Sequence, residues 1–539
     1  MKYIIKTFSL ALILTHSAYA AVPKDPMAAK VQEINIANNQ EPTTFDPHNC
    51  HEVACSSILE QIFEGLVNVD QKGVIVPAQA EKWTMSPDGK KYTFTLRKNL
   101  QWSDGTKITA QDFVYSMQRL VDPKTASENG YLLENIVNGK DINSGKAQPE
   151  SLGVKALNEN TLEITLIRPT AYFLEVMAMI STSPVQKKNI EKYGPREFTH
   201  AGNLVSNGPF VLKERKIGDK IVLEPNPNYW EKNAVYLNKV NYLILKDLVS
   251  EYRMFEAGQL HITGVIPADQ YKAIKIKYAE ELQSTPILSM YYYIYNLNNP
   301  KLQNKSLRKA LDMTIDRKAI TDSILGTGDI PSYEIVPYGM KNYTQRKPEW
   351  TSWSKDKQLI EAKKLYADAG YSKEKPLKLQ ILYNTDENHK KIAIAIASMW
   401  KKNLGVEVEI ANEEWKTLLD KRSTGQFEVL RLGGLATMND PYDFLTNFQS
   451  TSVRNTPKFK NADYDKYIEQ AENEVNPVLR KSLLEKAGKV LMDELPFSPI
   501  MSQTRKYLKR KEVIGFKKNI LEKYSFVGVY LKDKKSDLN

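Results

Sequence analysis

Between Lys357 and Ile410 the chain sets out two helices and two strands with almost nothing between them. Lys357 to Ala369 carries apolar residues at helical spacing and stops at Gly370, a residue suited to the left-handed position after a helix end. Leu377 to Tyr383 reads as a strand, Lys390 to Leu404 as a long helix stopped by Gly405, and Val406 to Ile410 as the next strand. Such a succession requires a mixed α/β fold, with helices covering a sheet.

The same grammar recurs along the chain. Val31 to Ile36 alternates as a strand, and Ser56 to Leu66 reads as a helix with Ile58, Leu59, Ile62, Phe63 and Leu66 on one face. Tyr92 to Arg97 and Thr161 to Leu166 are strands, Trp102 to Thr106 is a tight turn built on Gly105, and Ala110 to Leu120 is a helix opened by Thr109. Tyr291 to Tyr295 is an aromatic strand, followed by helical stretches at Leu307 to Ile315 and Lys318 to Ile324. No repeat, low-complexity stretch or Gly/Ser linker interrupts the 539 residues. The domains are therefore expected to join through short crossing strands, as in a hinged two-lobe protein.

The start of the chain sets the compartment. Lys2 and Lys6 precede the mainly apolar run Thr7 to Thr15, and Ala18-Tyr19-Ala20 offers small residues where a signal peptidase reads. Residues 1–20 are thus expected to be a secretory signal peptide cleaved after Ala20. The run is shorter than the roughly 20 residues of a membrane span. No Cys stands at the cleavage point, which points to an unanchored protein of a Gram-negative periplasm. In that oxidising compartment Cys50 and Cys55 are expected to pair, closing a short loop for about 2 kcal/mol. His48 and His51 lie in the same eight residues, so a zinc, nickel or copper site is the competing reading.

The 75 basic and 64 acidic side chains give a net charge of +11, spread along the chain except for the dense stretch Arg505 to Lys518. Nucleic-acid proteins concentrate charge and interleave aromatics with it, so none is expected as a partner. The surplus reads first as a solvated surface, and second as a bias toward anionic ligands or envelope polymers. There is no Gly-x-Ser-x-Gly, no His-Glu-x-x-His and no phosphate-cradling Gly-Lys loop, so neither catalysis nor a cofactor is expected.

Several ordered stretches carry a resemblance. They include Phe63-Glu64-Gly65-Leu66, Ala80 to Trp83, Ser86-Pro87-Asp88-Gly89, Trp102 to Gly105, Thr109 to Tyr115, Ser206 to Phe210, Pro225 to Trp230, Arg308 to Met313 with Ile315-Asp316-Arg317, and Ala362 to Tyr371. From about Glu33 to Pro499 the chain resembles the periplasmic oligopeptide-binding proteins of ABC importers, among them the three-domain members and the murein-tripeptide-binding branch. The resemblance implies a two-lobed, hinged fold with an additional N-terminal domain. Residues 21–63, 187–288 and 504–539 would form lobe I, 64–186 the extra domain packed on it, and 289–503 lobe II. A peptide or peptide-like ligand would be enclosed between the lobes of a monomer and delivered to an inner-membrane permease. A metal chelate or haem carried by the same fold is the alternative.

Site residues carry over where the sequence matches. The loop from Asp46 to Cys55 would touch the peptide through Val53 and through His51, which stands where relatives place a Glu. His389, Trp415, Arg422, Arg431 and Gly433 match, and the resemblance puts the arginines near a ligand carboxylate, which a guanidinium grips through two N–H bonds. Relatives continue Arg-x-Gly-Trp-x-x-Asp, whose Asp binds the peptide ammonium; here Gly434 replaces the Trp and Thr437 the Asp. Asp440, Glu52 and Asp386 are the candidate replacements, and otherwise the ligand lacks a free ammonium. Met501 and Ser502 replace tyrosines of the pocket wall.

Overall fold

The computed structural model describes residues 21–533, so the expected signal peptide lies outside the described residues. Two large sheets organise the chain. The first holds Glu33–Asn38, Lys239–Ile244, Lys220–Pro225 and Phe210–Lys216 in that spatial order. Its core extends into the antiparallel sheet built by Ala80–Met85, Lys91–Leu96, Thr161–Thr165 and Val154–Asn158, and it closes over Tyr507, Phe516 and Phe526 from the chain end.

Helix α1 (Val53–Ile62) packs into this core through Cys55, Ile58, Leu59 and Ile62. It starts before Ser56 and ends short of the expected Leu66. Asn207 explains the ending: its Oδ1 accepts from Glu64 N–H (3.0 Å) while its Nδ2 donates to Glu64 C=O (2.8 Å). Gly208 then donates to Ile62 C=O at 2.9 Å, and a Cβ there would lie 2.5 Å from the Ile62 carbonyl carbon. These bonds take the backbone groups that another helical turn would need.

The second large sheet is built from β1 (Leu282–Tyr295), the short Ile330–Pro331, β2 (Lys378–Asn384), β3 (Glu407–Glu413), β4 (Val429–Leu435) and β5 (Phe497–Leu508). Its spatial order is Ile330–Pro331, β5, β1, β4, β2, β3. Helix α2 (Glu387–Leu404) joins β2 to its parallel neighbour β3, and α3 (Trp415–Thr424) leads on to β4. The α2 start is earlier than Lys390 because the Asp386 side chain accepts from His389 N–H, capping the helix; its end at Gly405 (φ 82°) is where the sequence puts it. Lys318 to Ile324, expected as an ordinary helix, instead forms a π-helical turn over Ala319–Leu325. Alternate residues of β1 serve two cores: Tyr291, Tyr293 and Tyr295 face one, Leu288, Met290 and Ile294 the other.

Strands β1 and β5 also carry the chain between the two sheets. Their outer halves pair Leu282 to Pro286 with Leu508 to Thr504, and Leu508 lies in a cluster with Ala37, Phe255 and Ile274. Between Pro286 and Met290 the register shifts, then pairing resumes inside the second sheet. The expected crossing strands are these two, with the irregularity at the crossing itself.

Asp440 and Arg480 form a buried bidentate pair at 2.6 and 2.9 Å. Asp440→Ala would strand the guanidinium, and the urea midpoint should report a loss of about 3–5 kcal/mol.

Candidate functional site

Strand β4 is paired on one side along its whole length, from Val429 against Tyr295 to Leu435 against Ser289. On the other side β2 pairs only with Val429 and Leu430. From Arg431 onward that edge is open, and Gly433, Leu435 and Thr437 are exposed along it. An unpaired strand edge is a template for another extended backbone.

Opposite this edge stands the loop that leads into α1. Its bracing starts at Asp46, whose carboxylate accepts two guanidinium bonds from Arg119 at 3.1 and 2.6 Å. Arg119 also donates to His48 Nδ1 (2.8 Å), and His48 Nε2–H donates to Ser183 C=O (3.1 Å). Burial, then the Arg119 charge, hold His48 down to about 4, so it is neutral and able to accept at Nδ1. Asn129 Nδ2 donates to the carbonyls of His48 and Cys50 at 3.0 and 2.9 Å. Cys50 and Cys55 are joined in a disulfide. A fixed loop therefore presents His51 and Val53 to solvent. With Tyr131 they form one wall of a cavity of about 370 Å³ whose other wall is Leu435, Ala436 and Thr437.

The metal reading of this loop loses its sulfur ligands to the disulfide, and His48 to Arg119 and Ser183. Among the described residues no group of three or more His, Cys, Asp or Glu is placed to hold a metal ion.

On one face of β4, Arg431 is buried without a carboxylate partner among the described residues. Its Nη1 donates to Asn384 Oδ1 (3.0 Å), its guanidinium lies 4.3 Å from the Tyr291 ring centre, and its Nε finds no protein acceptor. His389 stands beside the same ring, its Nδ1 3.4 Å from the Tyr291 hydroxyl. Burial first, then the Arg431 charge, hold His389 down to about 4. The other face lines a cavity of about 470 Å³ with Tyr292, Arg422, Gly434 and Thr437. Trp415, half exposed at the start of α3, lines neither cavity.

Thr437 is bonded to an acid of the same loop. Its N–H donates to Asp443 Oδ2 (2.6 Å) and its hydroxyl lies 3.1–3.2 Å from both oxygens of that carboxylate. Burial pushes Asp443 above the usual carboxylate range. Asp443 is absent from the candidates above; its signal in the sequence is an acid six residues after Thr437 in the same short loop. Of the candidate replacements, Asp440 is consumed by Arg480, Glu52 accepts from Thr43 N–H and Asp386 caps α2.

Two sheets joined by a crossing strand pair, with an open strand edge facing a braced loop, define a hinged, two-lobed solute-binding protein. Residues 74–456 match the model of the bacterial extracellular solute-binding proteins, family 5, middle region, and the chain belongs to that family. It is 40% identical over 521 residues to the periplasmic murein peptide-binding protein MppA of Escherichia coli, covering 96% of each chain. It is 39% identical over 510 residues to the periplasmic oligopeptide-binding protein OppA of Salmonella typhimurium, covering 94% of each. The unliganded open form of the MppA murein tripeptide-binding protein superposes with a TM-score of 0.85 at 39% identity, covering 95% of this chain and all of that one. The chain is thus a periplasmic peptide-binding protein of this type, and no helix among the described residues is long and apolar enough to cross a membrane.

The neutral His48 sets a pH dependence. An unfolded chain binds the proton near 6.5 and the folded one near 4, so stability is full above about pH 6.5 and falls as the pH drops toward 4. The slope from His48 approaches about 1.4 kcal/mol per pH unit. Urea titrations across this window should show it, and His48→Gln should reduce the slope, leaving the share of His389, which is also held down to about 4.

Proposed function

We propose that the protein captures a peptide or peptide-like ligand along the open edge of β4 and delivers it to an inner-membrane ABC permease. The observation that carries this reading is the unpaired backbone from Arg431 to Leu435 facing His51 and Val53. The ligand main chain adds as a strand there, while the cavities on either side take side chains. The lobes divide as the sequence suggests, with 289–503 as lobe II. The protein works as a monomer without cofactor, catalytic step or nucleic acid.

Arg431 is the anchor for a ligand carboxylate. A buried guanidinium whose neighbours Asn384 and Tyr291 are neutral, beside a histidine held neutral, leaves positive charge to be answered. Arg422 adds a second cation on the opposite face. The usual ammonium-binding acid is absent at Thr437, and Asp443 behind it is engaged by Thr437 itself. Specificity therefore moves away from ordinary free-amine oligopeptides toward anionic peptides. Murein peptides, which name the E. coli relative, are the leading class.

Mass spectrometry of the ligand released from the purified protein tests this directly. Acidic or amine-blocked peptides are expected, and a population of ordinary free-amine peptides would sink the shift in specificity. Arg431→Gln should weaken the recovered ligand roughly 10- to 100-fold, the worth of one charge-assisted bond, in calorimetric titration. Binding across the crossing strands closes the lobes, so small-angle scattering should show a smaller radius of gyration with ligand than without.

A further inference from the structure

The cavity behind Gly434 is ringed by more positive charge than the protein uses. Arg422 reaches it from the end of α3, Arg454 and Lys458 from the loop after Phe448. Among the described residues, none of the three stands in an ion pair with a carboxylate. The one acid in the wall, Asp443, already accepts from Thr437 N–H, the Thr437 hydroxyl and Met438 N–H (3.4 Å).

The loop that carries Arg454 and Lys458 is held in shape. Asn455 is buried; its Nδ2 donates to Phe459 C=O (2.8 Å) and its Oδ1 accepts from Phe459 N–H (3.0 Å). Lys458 N–H donates to Asn455 C=O at 3.2 Å, and Lys458 itself sits at φ 59°, a left-handed backbone that a lysine rarely takes. Both cations are thus set at the rim by a pre-organised turn, and strain of this kind gathers at ligand clamps.

Space and access agree. A Cβ on Gly434 would already lie 3.3 Å from Phe444 Cε1 and 3.8 Å from the Tyr292 hydroxyl, so a larger side chain there would project into the cavity. The floor is apolar, from Leu432, Phe444 and Phe448, and the rim includes Gly433, Leu435 and Thr437 of the open edge. A backbone laid on that edge sends every second side chain toward the same face.

We propose that this cavity is a pocket for a carboxylate-bearing side group of the captured ligand, held by Arg454 and Lys458 with Arg422 at its mouth. The proposal rests on the peptide-capture reading but adds a named pocket and a charge preference to it.

Calorimetry on the full secreted chain tests it with trialanine, and with trialanine carrying one Glu or one Gln at each position in turn. At low salt one placement of Glu is expected to bind at least tenfold tighter than the matched Gln. The ratio should fall toward one in the double variant Arg454→Gln, Lys458→Gln, and it should persist in Lys460→Gln, an exposed charge outside the cavity. Gly434→Trp, by filling the space, should also erase it. Comparing Glu with Gln inside each variant cancels any general loss of folding. Equal binding of Glu and Gln at all three positions overturns the pocket. If no tripeptide binds, ordinary peptides are not the ligand, and the pocket is then read with glutarate alone. A melting-temperature rise that the double variant abolishes supports it; no rise overturns it.

Discussion

Strand β1 is the element on which the cleft depends. It enters from the first lobe beside β5, shifts register between Pro286 and Met290, and becomes the partner of β4 inside the second sheet. One strand therefore serves as tether, hinge and the support that holds β4 in place. Its alternation divides the chemistry as well. Tyr291 lies under Arg431 and His389 on one face, while Tyr292 lines the Gly434 cavity on the other. A one-residue slip would exchange the two faces and dismantle both.

The arginines near the cleft separate by whether an acid answers them. Arg480 is buried against Asp440, and Arg119 against Asp46; both lock loops that must not move. Arg431 is as buried as these but faces an amide and an aromatic ring. A guanidinium keeps its charge under almost any burial, so the field remains, and burial first, then that field, hold the neighbouring histidine neutral. Pairing is structural in the first two cases, and its absence is the property a ligand can use in the third.

Much of the fold was legible because it is written locally. Gly370, Gly405 and Gly105 mark ends and turns by their positive φ, and Thr109 opens its helix with Asp112 in a reciprocal capping box. Element boundaries were less legible: α2 starts early on the local Asp386 cap, and α1 ends on a distant bond. The end of α1 is decided by Asn207, more than a hundred residues away, which no window around Ser56 to Leu66 contains. The site was legible only as a set of matched residues. That β4 has an open edge depends on how few residues of β2 reach it, a fact of register. Arg454 and Lys458 read as ordinary surface charges until the cavity between them is visible.

Thr437 stands where the resemblance places an ammonium-binding acid, and its setting changes what that implies. Removing a carboxylate from a site that binds ammonium would normally leave a hole in the field. Here a carboxylate lies within bonding distance of the same residue, set back, half-buried and engaged by Thr437 and Met438. Burial disfavours its charged form, while the cations at the cavity rim favour it, and an incoming anion would weaken that support. With the Asp443 carboxylate set back from the strand edge, the cations of the rim dominate around Gly434. The open space at Gly434 and the set-back carboxylate of Asp443 therefore belong to one stretch of chain, from Arg431 to Asp443.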